Sequence, residues 1–146
     1  MAQQRVAALG LDIGTRRIGV AGCDGLGLIA TGLTTIARTS WAQDVTQLRQ
    51  IIQQRQVEVL VIGLSYRSDG GLTKQGEKTK QLAEKLAQEF QLPVVYVNEH
   101  LTSVEAEELI ISSGIRPRDN KALVDRKAAA IILQQWLDEG RPGQKF

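Results

Sequence analysis

The stretch LGLDIGTRRIGVA, residues 9–21, decides how this chain begins to fold. An aspartate, Asp12, interrupts an apolar run, where an unpaired buried carboxylate costs on the order of several kcal/mol. The small residues Gly14 and Gly19 predict a tight turn after it, which returns the chain as a second strand over Arg17–Cys23. We therefore expect a β-hairpin with Asp12 at its exposed mouth, where a partner or a metal ion offsets the charge.

Strand and helix patterns alternate along the rest of the chain. They predict strands at 6–11, 18–23, 28–36, 57–64 and 93–97, and helices at 41–55, 78–90, 103–111 and over the periodic segment that ends before Gly140. The polar segment SYRSDGGLTKQGEKT, from Ser65 onward, predicts a mobile loop, and 115–120 a second, basic loop. Three antiparallel strands followed by right-handed parallel crossovers give a mixed five-stranded α/β sheet with helices on both faces, the ribonuclease H-like order.

Length and composition are those of one globular domain. With 146 residues, 42% of them hydrophobic, the chain can bury roughly 68–70% of its unfolded surface, so we expect a single domain over residues 1–146. The single cysteine, Cys23, excludes an intramolecular disulfide framework. No apolar run reaches the ~18 residues of a membrane span and no signal-peptide core is found, so we expect a cytoplasmic protein without membrane contact. The net charge of +2 is too small to identify a polyanionic partner.

Three acidic residues lie at the ends of predicted elements or on an apolar face. Asp12 closes the first strand, Glu99 follows the strand PVVYV, and Asp125 lies near the start of the last helix. The strands carrying Asp12 and Glu99 are predicted to be parallel, so both carboxylates emerge at one edge of the sheet. Asp125 lies one turn before Ala129 on a helix that can approach that edge. Carboxylates without a histidine or cysteine cluster favour Mg²⁺ or Mn²⁺ over zinc.

Four blocks of the sequence together resemble a known family. They are LDIGTRRIGVAGCD, VIGLSYRSDGG, VVYVNEHLTSVEAEEL and LVDRKAAAIILQQWL, within about residues 6–137. In these blocks the chain is similar to the YqgF family, the RuvX-like Holliday junction resolvases, also described as pre-16S ribosomal RNA nucleases. The resemblance implies a ribonuclease H-like nuclease whose acidic residues fall on Asp12, Glu99 and Asp125. Two divalent ions held there would activate water and stabilise the leaving oxygen.

The sequence departs from the family pattern at two places. Asn98 and His100 flank Glu99 where an acid and an arginine are expected, which alters the charge around a metal site. Ser65 replaces the proline that usually begins the loop after VIGL, which affects loop stiffness and substrate fit.

Each acid also has a purely structural interpretation. Asp12 could bond to backbone amides of its turn, Glu99 could favour the dipole of the following helix, and Asp125 could pair with Arg126 or Lys121. His100 is expected in a solvated loop or in a hydrogen bond to Glu99. The remaining acids in turns are expected to be structural: Asp24, Asp69 and Asp119.

Basic residues cluster in the segments predicted to surround the acidic edge. Their contacts with a phosphate backbone would be independent of sequence and sensitive to salt, although all could be ordinary solvated charges. Tyr66 is the sole aromatic residue in the loops that could stack on a base, which favours recognition of backbone or shape. The candidate nucleic-acid contacts are Arg16, Arg17, Arg67, Lys74, Arg116, Arg118, Lys121 and Arg126.

Three functions compete at this stage. The first is a metal-dependent nuclease acting on a structured RNA precursor, such as pre-16S rRNA in ribosomal precursor particles, or on branched DNA, as a monomer or homodimer. The second is a nucleic-acid-binding or ribosome-assembly module without efficient catalysis, which the departures at Asn98 and His100 favour. The third is an actin-like ATPase module, since turns of the DIGT type also cradle phosphates there, although a second such turn is missing.

Overall fold

The computed structural model describes residues 5–99 and 102–140. It contains one five-stranded sheet in the order β3-β2-β1-β4-β5. The strands are β1 (Ala8–Ile13), β2 (Arg17–Cys23), β3 (Ala30–Ala37), β4 (Val59–Leu64) and β5 (Val94–Asn98). The helices are α1 (Trp41–Arg55), α2 (Lys74–Phe90), α3 (Thr102–Ser112) and α4 (Lys121–Asp138), with a 3₁₀ turn at Pro117–Asp119.

The first strand is the centre of the sheet. It pairs antiparallel with β2 and parallel with β4, and β4 pairs parallel with β5. Because β1, β4 and β5 run in the same direction, their carboxyl ends lie at one edge, as the sequence predicts for Asp12 and Glu99. The mixed five-stranded ribonuclease H-like prediction is confirmed.

Alternating side chains divide the core between the two faces of the sheet. On one face, Leu9, Leu11 and other strand residues pack with residues of α1 and α2. On the other face, Ala8 and Val61 pack with residues of α4, whose Trp136 is fully buried. The third helix packs on α4 rather than on the sheet. Helix α4 is therefore the element that covers the face on which Asp12 lies.

The loop after β4 is shorter than the sequence predicts. Residues 65–73 form a hydrogen-bonded hairpin with a bridge between Tyr66 and Leu72, and α2 begins at Lys74 rather than Lys78. Thr73 caps the helix by accepting from the Gly76 amide. Gly76 is buried and a Cβ there would lie 2.4 Å from the Ser65 carbonyl oxygen, so close packing overrides the low helix propensity of glycine. Lys74 is therefore a helical residue and not part of a mobile loop.

The turn between β2 and β3, by contrast, is longer than predicted, since β3 begins at Ala30 and not at Leu28. The Asp24 carboxylate accepts hydrogen bonds from the amides of Leu26, Leu28 and Ile29. These bonds lower the pKa of Asp24, and the bond from the Ile29 amide has the largest effect. Asp24 is thus structural, as the sequence indicates. Within the described ranges, no helix is long and apolar enough to cross a membrane.

Candidate active site

Asp12 is the second-last residue of β1 and lies on the face covered by α4. It pairs with Gly19 of β2, and its predicted place at an exposed hairpin mouth is corrected, because Asp12 is partly buried. Glu99 directly follows β5, and its amide donates to the Leu64 carbonyl at 3.0 Å. This bond extends the ladder between β4 and β5 by one residue and holds Glu99 at the edge where β1 ends.

Two glycines on the α4 face make room for the acidic groups. A Cβ at Gly19 would lie 2.0 Å from the backbone oxygen of Asp125, so only glycine lets α4 approach β2 this closely. A Cβ at Gly63 would lie 2.9 Å from Glu99 Oε2 and 2.6 Å from Ile132 Cδ1. Glycines that lie in strands on the same face as Asp12 are a sequence signal for this site. This signal is missed when Gly19 is assigned to a turn from the sequence.

The Asp12 and Glu99 side chains share a hydrogen bond, which the protonated Asp12 carboxyl donates to the Glu99 carboxylate. The pKa of Asp12 is raised from 3.8 to about 7. Burial is the main cause, followed by the negative charges of Glu99 and Asp125. Burial also raises the pKa of Glu99, and the bond from Asp12 partly offsets that rise.

Asp125 interacts with Asp12 through its charge but has a partner of its own. Arg17 Nε at the start of β2 donates to Asp125 Oδ2, and this ion pair leaves 33% of the Arg17 and 21% of the Asp125 side chain exposed. Asp125 is therefore neither directed into solvent nor paired with Arg126 or Lys121. Arg17, predicted from the sequence as a phosphate contact, is paired with the third acid in this structure.

The donor set suits a hard divalent cation at Asp12 and Glu99. Two carboxylates that hydrogen-bond each other share a proton where a cation could bind, and oxygen ligands without nitrogen or sulfur favour Mg²⁺ or Mn²⁺. Among the described residues, however, no group of three or more histidine, cysteine, aspartate or glutamate side chains is arranged to hold a metal ion. The third carboxylate, Asp125, is paired with Arg17.

A groove of about 940 Å³ opens beside Asp125, between the end of α3, the 3₁₀ turn and the start of α4. Basic and aliphatic side chains line it together, and Glu107 and Asp125 are its two acids. The basic residues are Arg17, Arg116, Arg118 and Lys121; the aliphatic ones are Ile111, Ile115 and Val124. The aliphatic wall is the feature that the charge-based sequence argument misses.

The other predicted basic contacts lie outside this groove. Arg67 pairs with Asp69 in the hairpin after β4, and the two side chains are mostly exposed. Arg126 packs on β3, where a Cβ at Gly32 would lie 2.7 Å from its Cγ. The remaining two lie in the turn after β1 and in the first turn of α2: Arg16 and Lys74.

The departures from the family pattern are only partly visible. Asn98 ends β5 and Ser65 begins the hairpin after β4, where its hydroxyl hydrogen-bonds Thr73. This bond joins the two ends of the hairpin, so it can restrict the loop although Ser65 stands where the family pattern has proline. His100 lies outside the described residues.

Solved structures of low sequence identity share this fold. The RuvC protein of T. thermophilus, solved in complex with a Holliday junction substrate, matches with a TM-score of 0.57 and 16% identity over 93% of this chain and 97% of that chain. The yeast mitochondrial Holliday junction resolvase matches with a TM-score of 0.51 and 13% identity over 97% and 84%. These likenesses establish the common architecture.

Closer relatives are found by sequence. A protein of Synechococcus elongatus named "Putative pre-16S rRNA nuclease" is 56% identical over 140 residues, which cover 96% of this chain and 94% of the relative. A protein of the same name from Trichormus variabilis is 55% identical over 133 residues, covering 91% and 88%. The family model RuvX, described as Holliday junction resolvase, matches residues 6–139. The chain therefore belongs to the RuvX family.

Proposed function

We propose that this chain is a divalent-metal-dependent endonuclease that hydrolyses phosphodiester bonds in structured nucleic acid. The observation that carries the proposal is the hydrogen-bonded pair of Asp12 and Glu99, with a raised pKa at Asp12, at the carboxyl edge of the sheet. Burial of a hydrogen-bonded acid pair costs stability, and acids with strongly perturbed pKa values are typical of catalytic or metal-binding sites.

The residues that would hold Mg²⁺ or Mn²⁺ are Asp12 and Glu99. When bound, the ion supplies Lewis acidity toward a phosphoryl oxygen and a water nucleophile of lowered pKa. The β1 and β4–β5 ladders hold the two carboxylates in place, and α4 packs on the face of the sheet on which Asp12 lies. Asp125 would join the ligand set when Arg17 is drawn to a phosphate, because Arg17 and Asp125 both line the groove.

The substrate class follows from the family and the groove. Relatives carry the name of a pre-16S rRNA nuclease and the family is described as Holliday junction resolvase, so we propose an rRNA precursor, in its ribosomal precursor particle, or branched DNA. The groove's four basic residues suit a phosphate backbone. We also propose that the protein acts in the cytoplasm, together with these nucleic-acid substrates.

Cleavage of both substrate classes by the purified chain tests this proposal. We expect the wild type to cut an rRNA precursor fragment or a four-way DNA junction when Mn²⁺ or Mg²⁺ is added, and not in a chelator. Asp12→Asn and Glu99→Gln should each lower the rate by at least about a hundredfold, while Asp69→Asn, which alters an exposed acid, should not. Unchanged cleavage by Asp12→Asn would exclude this site.

The second candidate is a module that binds nucleic acid without efficient catalysis. It is favoured by the ion pair that withholds Asp125 and by the absence, in the part of the chain that the structure describes, of three side chains arranged around a metal. Tight binding of both substrates without any metal-stimulated cleavage by the wild type would select this candidate.

A further inference from the structure

Aliphatic side chains lie exposed in the groove between α3 and α4. Ile111 is 59% exposed and Ile115 is 39% exposed, and both line the groove together with Val124. Exposed aliphatic side chains that gather in one concave site, rather than singly on a surface, mark a surface that binds something. Binding of a phosphate backbone does not explain these aliphatic side chains, because phosphate contacts need only cations and hydrogen-bond donors.

The groove therefore offers two kinds of contact side by side. Its cations are Arg17, Arg116, Arg118 and Lys121, and its acids are Glu107 and Asp125, of which Asp125 is already paired with Arg17. Arg116 pairs with Asp119, but this pair is mostly exposed and thus weak. The groove remains cationic, and its ligand must combine negative charge with an apolar face. A nucleotide has both.

We propose that this groove holds one unstacked nucleoside of the substrate, with its base against Ile111, Ile115 and Val124 and its flanking phosphates at Arg118 and Lys121. This inference rests on the proposed function and deepens it by naming the feature of the substrate that is recognised. Bases displaced from a stack are commonly held between apolar side chains.

Size and position support this occupant over a continuous duplex. A volume of about 940 Å³ is within the range of small-ligand sites and accommodates a nucleotide with its neighbouring phosphates. A base that remains stacked in a duplex has no free face for the aliphatic wall. The groove adjoins Asp125, so the bound nucleoside lies next to the acidic edge. The substrate class is thus paired nucleic acid with an unpaired nucleotide at a bulge, loop or branch point.

The test compares a short RNA duplex carrying a central bulge, one base of which is 2-aminopurine, with the same duplex without the bulge. Binding is measured in chelator, so that no cleavage occurs. We expect the wild type to bind the bulged duplex about tenfold more tightly, the contribution of one held base, and to change the 2-aminopurine fluorescence. A DNA version should behave alike, since the wall contacts the base and not the sugar hydroxyl.

The variant Ile111→Ser/Ile115→Ser should lose this preference and the fluorescence change, with the same dependence on salt as the wild type because no cation is removed. Leu109→Ser is the matched control: Leu109 is 54% exposed on the same helix but does not line the groove. If the melting temperature of the double variant is well below that of the wild type, the single variants Ile111→Thr and Ile115→Thr replace it.

The outcomes separate this inference from the proposed function. Equal affinity of the wild type for both duplexes, no binding of either duplex, or a preference that survives in the double variant overturns the nucleoside site and leaves the nuclease proposal intact. A bulge preference that depends on Ile111 and Ile115, with no metal-stimulated cleavage of the rRNA precursor fragment or the four-way junction, supports the site and overturns the nuclease.

Discussion

Arg17 of β2 and Asp125 of α4 form an ion pair at the rim of the acidic edge, across the boundary between the sheet and its covering helix. The pair joins the groove to the acids, because both residues line the groove and the charge of Asp125 acts on Asp12. One arginine thereby balances a carboxylate that a metal ion would otherwise use.

Removing this arginine should strengthen divalent-ion binding in the absence of nucleic acid. Arg17→Gln deletes the positive charge paired with Asp125 and frees Asp125 as a ligand, so we expect Mn²⁺ affinity, measured by calorimetry, to rise about tenfold. Arg16→Gln removes the same charge from an exposed neighbour and should change the affinity much less. An Arg17→Gln protein that binds Mn²⁺ no better than the wild type contradicts the ion-pair account.

Nucleic-acid affinity should depend on salt through the groove. Arg118→Ala/Lys121→Ala removes two cations that line it, so the slope of log affinity against log salt should fall by about 1 to 2. The fold should tolerate the change, since both residues are exposed. Lys80→Ala/Lys85→Ala is the charge-matched control, on the exposed part of α2, which packs on the opposite face of the sheet from α4. Equal slopes in the two variants would place the nucleic acid elsewhere.

The sequence suffices for the order of elements because local chemistry determines it. The period changes at Trp41 from strand to helix, and Ser40, a residue type that favours the N-cap position, caps α1 by accepting from the Gln43 amide. The continuous aliphatic run that becomes β4 is typical of a central strand covered on both faces. The meeting of Asp12 and Glu99 at one edge follows from the parallel order alone.

What the sequence does not predict depends on contacts between distant elements. The partner of Asp125 is set by how closely α4 lies on Gly19, and the start of α2 by the packing of Gly76 on Ser65. The aliphatic wall of the groove forms only when α3 and the 3₁₀ turn meet α4. Local periodicity carries no information on any of these distances.

Stability should fall as pH rises in the absence of metal. The Asp12 pKa is 3.8 in the unfolded chain and about 7 in the fold. Below the lower value both states are protonated. Between the two values only the unfolded state is ionised, so the free energy of unfolding decreases by about 1.4 kcal/mol per pH unit, to a loss on the order of 4 kcal/mol.

Urea unfolding in chelator at about pH 4 and pH 8 measures this loss. Asp12→Asn should flatten most of the slope and be more stable than the wild type at the higher pH, while Asp69→Asn should keep the wild-type slope. Added Mn²⁺ should restore wild-type stability at the higher pH and do little for Asp12→Asn. If the unfolding free energy of Asp12→Asn changed with pH as much as that of the wild type, Asp12 would not be the protonated group in the metal-free fold.

The close approach of α4 to β2 should be the most sensitive packing feature of the site. In Gly19→Ala the new Cβ would meet the Asp125 carbonyl oxygen at 2.0 Å and its carbon at 2.5 Å, and these are backbone atoms that move only with the helix. We expect a loss of about 1–3 kcal/mol in unfolding free energy and weaker Mn²⁺ binding, since Asp125 moves away from Asp12. Gly25→Ala is the matched control, because a Cβ there lies 3.9 Å from its nearest neighbour, Arg5 Cγ, and should change stability by less than about 1 kcal/mol. If Gly19→Ala is as stable as Gly25→Ala and binds Mn²⁺ normally, α4 does not depend on this contact to bring Asp125 to the acidic edge.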